Sequence, residues 1–276
     1  MRRSLLYFTA VLPYFAAVLI QDIAVNTIAF FYNLCAALWF NRESLADGLQ
    51  GEESLMSPEL IYLISILGVA VCGIVFFFWY RRIIRDDNRG SIKAVFSTRY
   101  IVLLIMLGIG CQLLFSGLLS LLEPLFPKVF AEYSQVIQNI TSGNGIIVLI
   151  LMTIVAPFTE ELIFRGVIFQ RANSYMAYLG ANILQAVLFG LYHNNLIQGL
   201  YAAPLGFLLG MICYKFKSII APMFLHMIIN ISSLLLLLAP DNLFSYVLML
   251  IAGGVIGGLA LYLIKPNDRI VQDEAS

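Results

Sequence analysis

Three apolar stretches of this chain carry residues that apolar stretches rarely hold. Glu160, Glu161 and Arg165 stand in one, His193 with Asn194 and Asn195 closes another, and His226 with Asn230 lies in a third. A charge in a bilayer core is costly unless paired or hydrated, so ionisable groups there mark function by default. The chain has 2 histidines, and both belong to this set. Helical spacing sorts the members. Glu161 and Arg165 are four apart with the carboxylate on the N-terminal side, the favourable orientation for an ion pair on one face. Glu160 is turned by about 100° from Glu161 and is the freer carboxylate. His226 and Asn230 project from one face. Phe189 sits one turn before His193, where it can wall off one side of the imidazole. Carboxylates, imidazoles and an amide so grouped suit three kinds of chemistry. They can activate water for hydrolysis, ligate zinc through two His and two Glu, or couple protons to transport.

The elements that must position these groups follow from composition. Of 276 residues, 61% are hydrophobic and 12% charged, the latter about half the share usual in a soluble protein. Mean hydropathy is +0.91. A soluble globular fold, disorder, coiled coil and collagen are all excluded. Apolar runs span 5–40, 60–80, 100–122, 146–170, 175–192, 196–214, 219–239 and 243–264. Most approach the roughly 20 residues a helix needs to cross the hydrocarbon, and all are too long for barrel strands of about ten residues. The fold class expected is all-α, a polytopic transmembrane bundle of about eight helices. It forms one integral-membrane domain over 1–276, with 146–239 holding the polar set. The run 5–40, interrupted at Asp22, is either one tilted span or a surface helix followed by a span. An uncleaved first segment fits better than a signal peptide, because apolar character resumes after Asp22.

Charge sets the sidedness. With the 81–99 loop (Arg81, Arg82, Arg85, Arg89, Lys93, Arg99) in the cytoplasm, Arg2, Arg3, Arg171, Lys215, Lys217, Lys265 and Arg269 also fall inside. Arg42 and Lys128 fall outside, and so does the acidic 41–59 loop with Glu43, Asp47, Glu52, Glu53 and Glu59. The positive-inside rule then places both termini in the cytoplasm of a multi-pass cell-membrane protein. Net charge is zero, which gives no reason to expect a nucleic-acid partner. Cys35, Cys72, Cys111 and Cys213 lie in apolar runs without a CxxC pair, and read as small buried residues. No loop is long enough to form a soluble domain, so the bundle itself must do the chemistry in contact with membrane lipids.

The polar set also matches a known pattern. Glu160-Glu161-Leu162-Ile163-Phe164-Arg165 is EExxxR, Phe189-Gly190-Leu191-Tyr192-His193 is FxxxH, and His226-Met227-Ile228-Ile229-Asn230 is HxxxN. In this order, each on an apolar helix, they resemble the CAAX-protease and bacteriocin-processing family of intramembrane glutamic endopeptidases, relatives of the Ras-converting CAAX endopeptidase. The resemblance implies hydrolysis of a peptide bond in a membrane-associated or lipidated peptide or protein, with no cofactor, no metal and no covalent intermediate. Glu160 would be the base. His193 would share the water with it and pass a proton to the leaving nitrogen. His226 and Asn230 would stabilise the oxyanion. Glu161 and Arg165 would brace the helix, and Phe189 would border the substrate. Two other readings remain open, a zinc metalloprotease using the same cluster and a non-enzymatic transporter or partner-binding protein. Separately, Gly253-Gly254 and Gly257-Gly258 repeat at four-residue spacing. That face is expected to pack on another helix or on a second copy, giving a homo-oligomer.

Overall fold

The computed structural model describes residues 2–40, 58–84, 95–141, 145–236 and 239–264. These residues form nine helices and no strand. They are α1 (Arg2–Phe40), α2 (Pro58–Ile83), α3 (Thr98–Leu122), α4 (Pro127–Thr141), α5 (Gly145–Asn173), α6 (Tyr178–Tyr192), α7 (Leu196–Phe216), α8 (Ile220–Leu236) and α9 (Leu243–Leu263). Six are long and apolar enough to cross a membrane, namely α1, α2, α3, α5, α7 and α9; α6 and α8 are apolar but shorter. The chain is a multi-pass helical membrane protein, and the eight apolar runs all appear as helices.

Several expectations are refined. The first run is one continuous helix of 39 residues that passes through Pro13. Helix α4 has no counterpart among the apolar runs. It is amphipathic, places Phe130 in the interior, and packs on α7. Cys72, Cys111 and Cys213 are buried and free, but Cys35 is exposed. An apolar residue on the peripheral α1 faces lipid, so it need not be buried in protein. The segments 41–57, 85–94 and 265–276 lie outside the described residues. With them go Arg42, Glu43, Asp47, Glu52, Glu53, Arg85, Arg89, Lys93, Lys265 and Arg269, on which much of the sidedness rests.

In a bilayer, apolar side chains gain little by leaving lipid, and helices associate through close packing, small residues and polar contacts. Accordingly Phe15, Ile74, Phe78, Leu248 and Val255 stay exposed on the outer surface. Two buried clusters form the interior. One joins Phe76 of α2 with Phe164, Val167 and Ile168 of α5 and Phe189 of α6. The other joins Leu104 and Leu107 of α3, Leu209 and Ile212 of α7, and Leu225 and Ile229 of α8. The buried polar residues Glu161, Arg165, Asn182, Gln185 and His226 sit on α5, α6 and α8, and their bonds cross from one cluster's helices to the other's.

Candidate active site

Helix α5 carries the carboxylates, and its ladder is irregular around them. It is α-helical over Gly145–Ile150, π-helical over Leu151–Val155, α-helical over Ala156–Glu161 and π-helical again over Leu162–Phe169. Pro157 accounts for the first irregularity, since proline brings no N–H to the ladder. The Ala156 N–H already reaches back five residues to the Leu151 carbonyl. In that register residue 157 would serve the Met152 carbonyl, and cannot. The Asn230 side chain supplies the missing donor, its Nδ2 lying 2.8 Å from Met152 O. π-bulges of this kind are frequent at functional sites.

The ion pair forms as its spacing requires. Arg165 Nη1 lies 2.9 Å from Glu161 Oε1, and both side chains are fully buried. The same carboxylate oxygen takes His226 Nδ1 at 2.9 Å. Because an ionised carboxylate only accepts, His226 donates there from Nδ1–H. Its Nε2 then faces Glu160, 3.7 Å from Oε2. Glu160 keeps 15% side-chain exposure where Glu161 has none, so the 100° turn does leave the first carboxylate freer.

His193 is fixed in the same way by a different partner. Its Nδ1 lies 2.8 Å from the Phe189 carbonyl, an acceptor, so Nδ1 carries the proton and Nε2 is the free nitrogen. The described contacts of His193 do not include Glu160, and it is His226 that adjoins this carboxylate. The expected sharing of a water between His193 and Glu160 needs no direct contact, and His226 is a direct neighbour of that carboxylate. Phe189 connects the two rings. Its ring stands edge-on to His193 at 4.9 Å and to His226 at 5.7 Å, while the Arg165 guanidinium lies 4.5 Å from its centroid. It is 2% exposed. It stands as a buried spacer between the imidazoles and the guanidinium. Asn194 and Asn195 serve the turn. Asn194 takes a left-handed φ of 49°, which asparagine tolerates, and Asn195 caps α7 by accepting from the Gln198 N–H at 3.0 Å.

Two residues of the site escaped a search for ionisable groups. Asn182 and Gln185 of α6 are fully buried, and Gln185 Nε2 lies 2.9 Å from the Gly206 carbonyl that also accepts from Arg165 Nη2 at 2.9 Å. An apolar groove of about 510 Å³ runs between α2 and α5, lined by Gly73, Ile74, Phe77, Phe78, Phe158 and Thr159 and by none of the cluster's side chains. Among the described residues no three His, Cys, Asp or Glu side chains are grouped to hold a metal ion. Glu161, one of the four ligands the zinc reading offers, is committed to a guanidinium and an imidazole.

Fold and site together define a multi-pass helical membrane protein with a buried Glu–His–Arg cluster. Residues 142–232, which hold all three motifs, match the family described as type II CAAX prenyl endopeptidase, Rce1-like. That motif-bearing segment is thus similar to the CAAX-protease family. A curated protein of Bacillus subtilis (strain 168), "Putative membrane peptidase YdiL", is 28% identical over 110 residues, covering 40% of this chain and 45% of that protein. The chain therefore matches less than half the length of that relative. No solved structure matches.

Proposed function

We propose that the chain is an intramembrane endopeptidase in which Glu160 activates water for attack on a peptide carbonyl. The observation that carries this reading is the approach of Glu160 Oε2 to within 3.7 Å of His226 Nε2, with the far side of that imidazole held by Glu161, itself paired with Arg165. A carboxylate that fixes the tautomer and orientation of an imidazole is a recurring catalytic arrangement. Glu160 takes a proton from water as the oxygen bonds to the carbonyl carbon, and that proton passes to the departing nitrogen as the C–N bond breaks. His226 presents Nε2 to the same space. As a neutral ring it accepts a proton there, and as a charged ring it donates a hydrogen bond to the oxyanion. His193 offers a second Nε2. Asn230 keeps one amide N–H beyond the bond to Met152 for the oxyanion. The family match supports a protease, and the apolar groove beside Thr159 suits a substrate with a hydrocarbon chain or an apolar segment.

The test is cleavage of membrane-reconstituted reporter peptides, with and without a C-terminal lipid, followed by mass spectrometry. Glu160→Gln preserves size and removes the base. Turnover is expected to fall by about 100- to 10,000-fold, the usual contribution of a positioned general base. A folded Glu160→Gln variant that cleaved at the parent rate would sink the mechanism.

A further inference from the structure

We infer that Asn182 and Gln185 are positioning residues of the reaction centre, fixing the α7 carbonyl that accepts from Arg165 and, through Arg165 and Glu161, setting the ring of His226. Neither residue belongs to the three motifs. The kinetic part of this inference rests on the endopeptidase reading, and the geometric part does not.

The argument starts from Arg165, whose side chain is wholly buried. A guanidinium has five N–H donors, and its orientation in an apolar interior is fixed by whatever accepts from it. Nη1 has Glu161 and Nη2 has the Gly206 carbonyl, while Nε has no partner. Half of the hold on Arg165 is therefore a single backbone carbonyl of α7. That carbonyl also accepts from Gln185 Nε2 at 2.9 Å. Gln185 is itself fixed, since the same Nε2 lies 2.7 Å from Asn182 Oδ1 and 3.1 Å from Asn182 O. Asn182 Nδ2 in turn donates to Phe207 O at 3.0 Å and to Tyr178 Oη at 3.3 Å. Two successive carbonyls of α7 are thus gripped by two amides of α6.

The space for those amides is built in. A Cβ on Gly210 would fall on Asn182 Oδ1 and within 2.5 Å of Gln185 Nε2, and one on Gly206 would lie 3.3 Å from Arg165 Nη2. A continuous path of bonds runs from Asn182 through Gln185, Gly206, Arg165 and Glu161 to His226. In a low-dielectric interior such chains polarise and rigidify their members. Amides that served only to join two helices would act on stability alone. Positioning amides act on the imidazole at the far end.

The 2 histidines make this measurable. With ring-15N-labelled histidine and the full chain in lipid nanodiscs, two ring systems appear, assigned by comparison with His193→Gln. Gln185→Met keeps the volume and removes the amide. It is expected to shift the His226 ring nitrogens and leave those of His193 in place, because His193 is bonded within α6 and stands off the path. In the peptidase assay kcat should fall by about 10- to 100-fold, the scale of a small misplacement of a catalytic group, with KM little changed. Should Gln185→Met fail to fold, Gln185→Glu retains the shape and competes with Glu161 for Arg165, and again only His226 should move. Unmoved rings in a folded variant overturn the inference, and so do equal shifts of both rings, which would report a general loosening. If the parent chain cleaves nothing while His226 alone responds, the positioning stands and the peptidase reading falls.

Discussion

The seam between α3 and α9 and the seam between α6 and α7 are both closed by glycine, and they differ in what occupies the room the glycines leave. In the first, backbone meets backbone. A Cβ on Gly110 would strike the Gly257 amide nitrogen and lie 2.6 Å from its Cα, and one on Gly117 would lie 2.6 Å from Tyr246 O. In the second, Gly190 and Gly199 face each other at one end, where a Gly190 Cβ would lie 2.8 Å from Gly199 O. Toward the other end Gly206 and Gly210 make room for the amides of Asn182 and Gln185 and for the tip of Arg165. The same residue type at the same helical spacing therefore does two jobs. Where the opposite helix offers only backbone and aliphatic groups, glycine gives tight assembly. Where it offers amides, glycine admits a polar network that reaches the buried Arg165–Glu161 pair. The residues across the seam, more than the glycines, decide which.

The largest effect expected from breaking this contrast is at Gly253→Ala. The added methyl would run into the Leu114 backbone nitrogen and lie 2.7 Å from Gly110 O, atoms that cannot move without shifting a helix. Overpacking typically costs about 1–3 kcal/mol, and backbone obstruction belongs at or above the top of that range. Thermal unfolding in nanodiscs should show it, while turnover per folded molecule stays near the parent value. Gly210→Ala should reverse the balance. Its methyl meets the ends of side chains that can swing aside, so the stability loss should be smaller, about 1 kcal/mol. The displaced amides are those that hold the Gly206 carbonyl, so turnover per folded molecule should drop well below that of Gly253→Ala. A Gly210→Ala variant of full turnover beside a slow Gly253→Ala would erase the distinction between the seams.

How far the sequence alone reaches can be judged on the same residues. Apolar length is a strong signal because the hydrocarbon sets it, and every apolar run became a helix. Helix α4 was missed because it is amphipathic and lies outside any such run. The pairing of Glu161 with Arg165, and the greater freedom of Glu160, follow from helical periodicity and hold. The partner of Glu160 does not follow from it. Whether His193 or His226 adjoins that carboxylate depends on how α5, α6 and α8 cross, which no local spacing encodes. Asn182 and Gln185 were overlooked because a census of charges passes over neutral amides. Their signal was present: two amides three residues apart on one face of the run 175–192. Asn230 shows a further limit. Its bond to Met152 makes sense only once Pro157, more than 70 positions away, is known to have left that carbonyl without a donor.

The smallest effect, and the one that most sharpens the contrast, is expected at Gly258. The repeated pairs Gly253-Gly254 and Gly257-Gly258 read alike in sequence, yet they divide between two faces of α9. Gly253 and Gly257 are buried against α3. A Cβ on Gly254 would meet only Leu114 Cδ1 at 3.9 Å, and one on Gly258 would meet nothing within 4 Å. The expectation that this helix packs through its glycines is thus met inside the chain, by the first member of each pair. Contact with a second copy would have to use the other face, beside the exposed Ile251, Val255 and Tyr262. For an isolated chain, Gly258→Ala adds a methyl to open space and removes backbone freedom from the unfolded state. It should leave stability unchanged or raise it by up to about 1 kcal/mol, the helix-interior preference for alanine over glycine. Unfolding midpoints and the mass of the nanodisc-borne particle are to be measured together. If Gly258→Ala lowers both the midpoint and the particle mass, a second copy occupies this face and the glycine serves an interface between chains. If neither falls, the close approach of α9 is confined to α3, and only Gly253 and Gly257 have to be glycine.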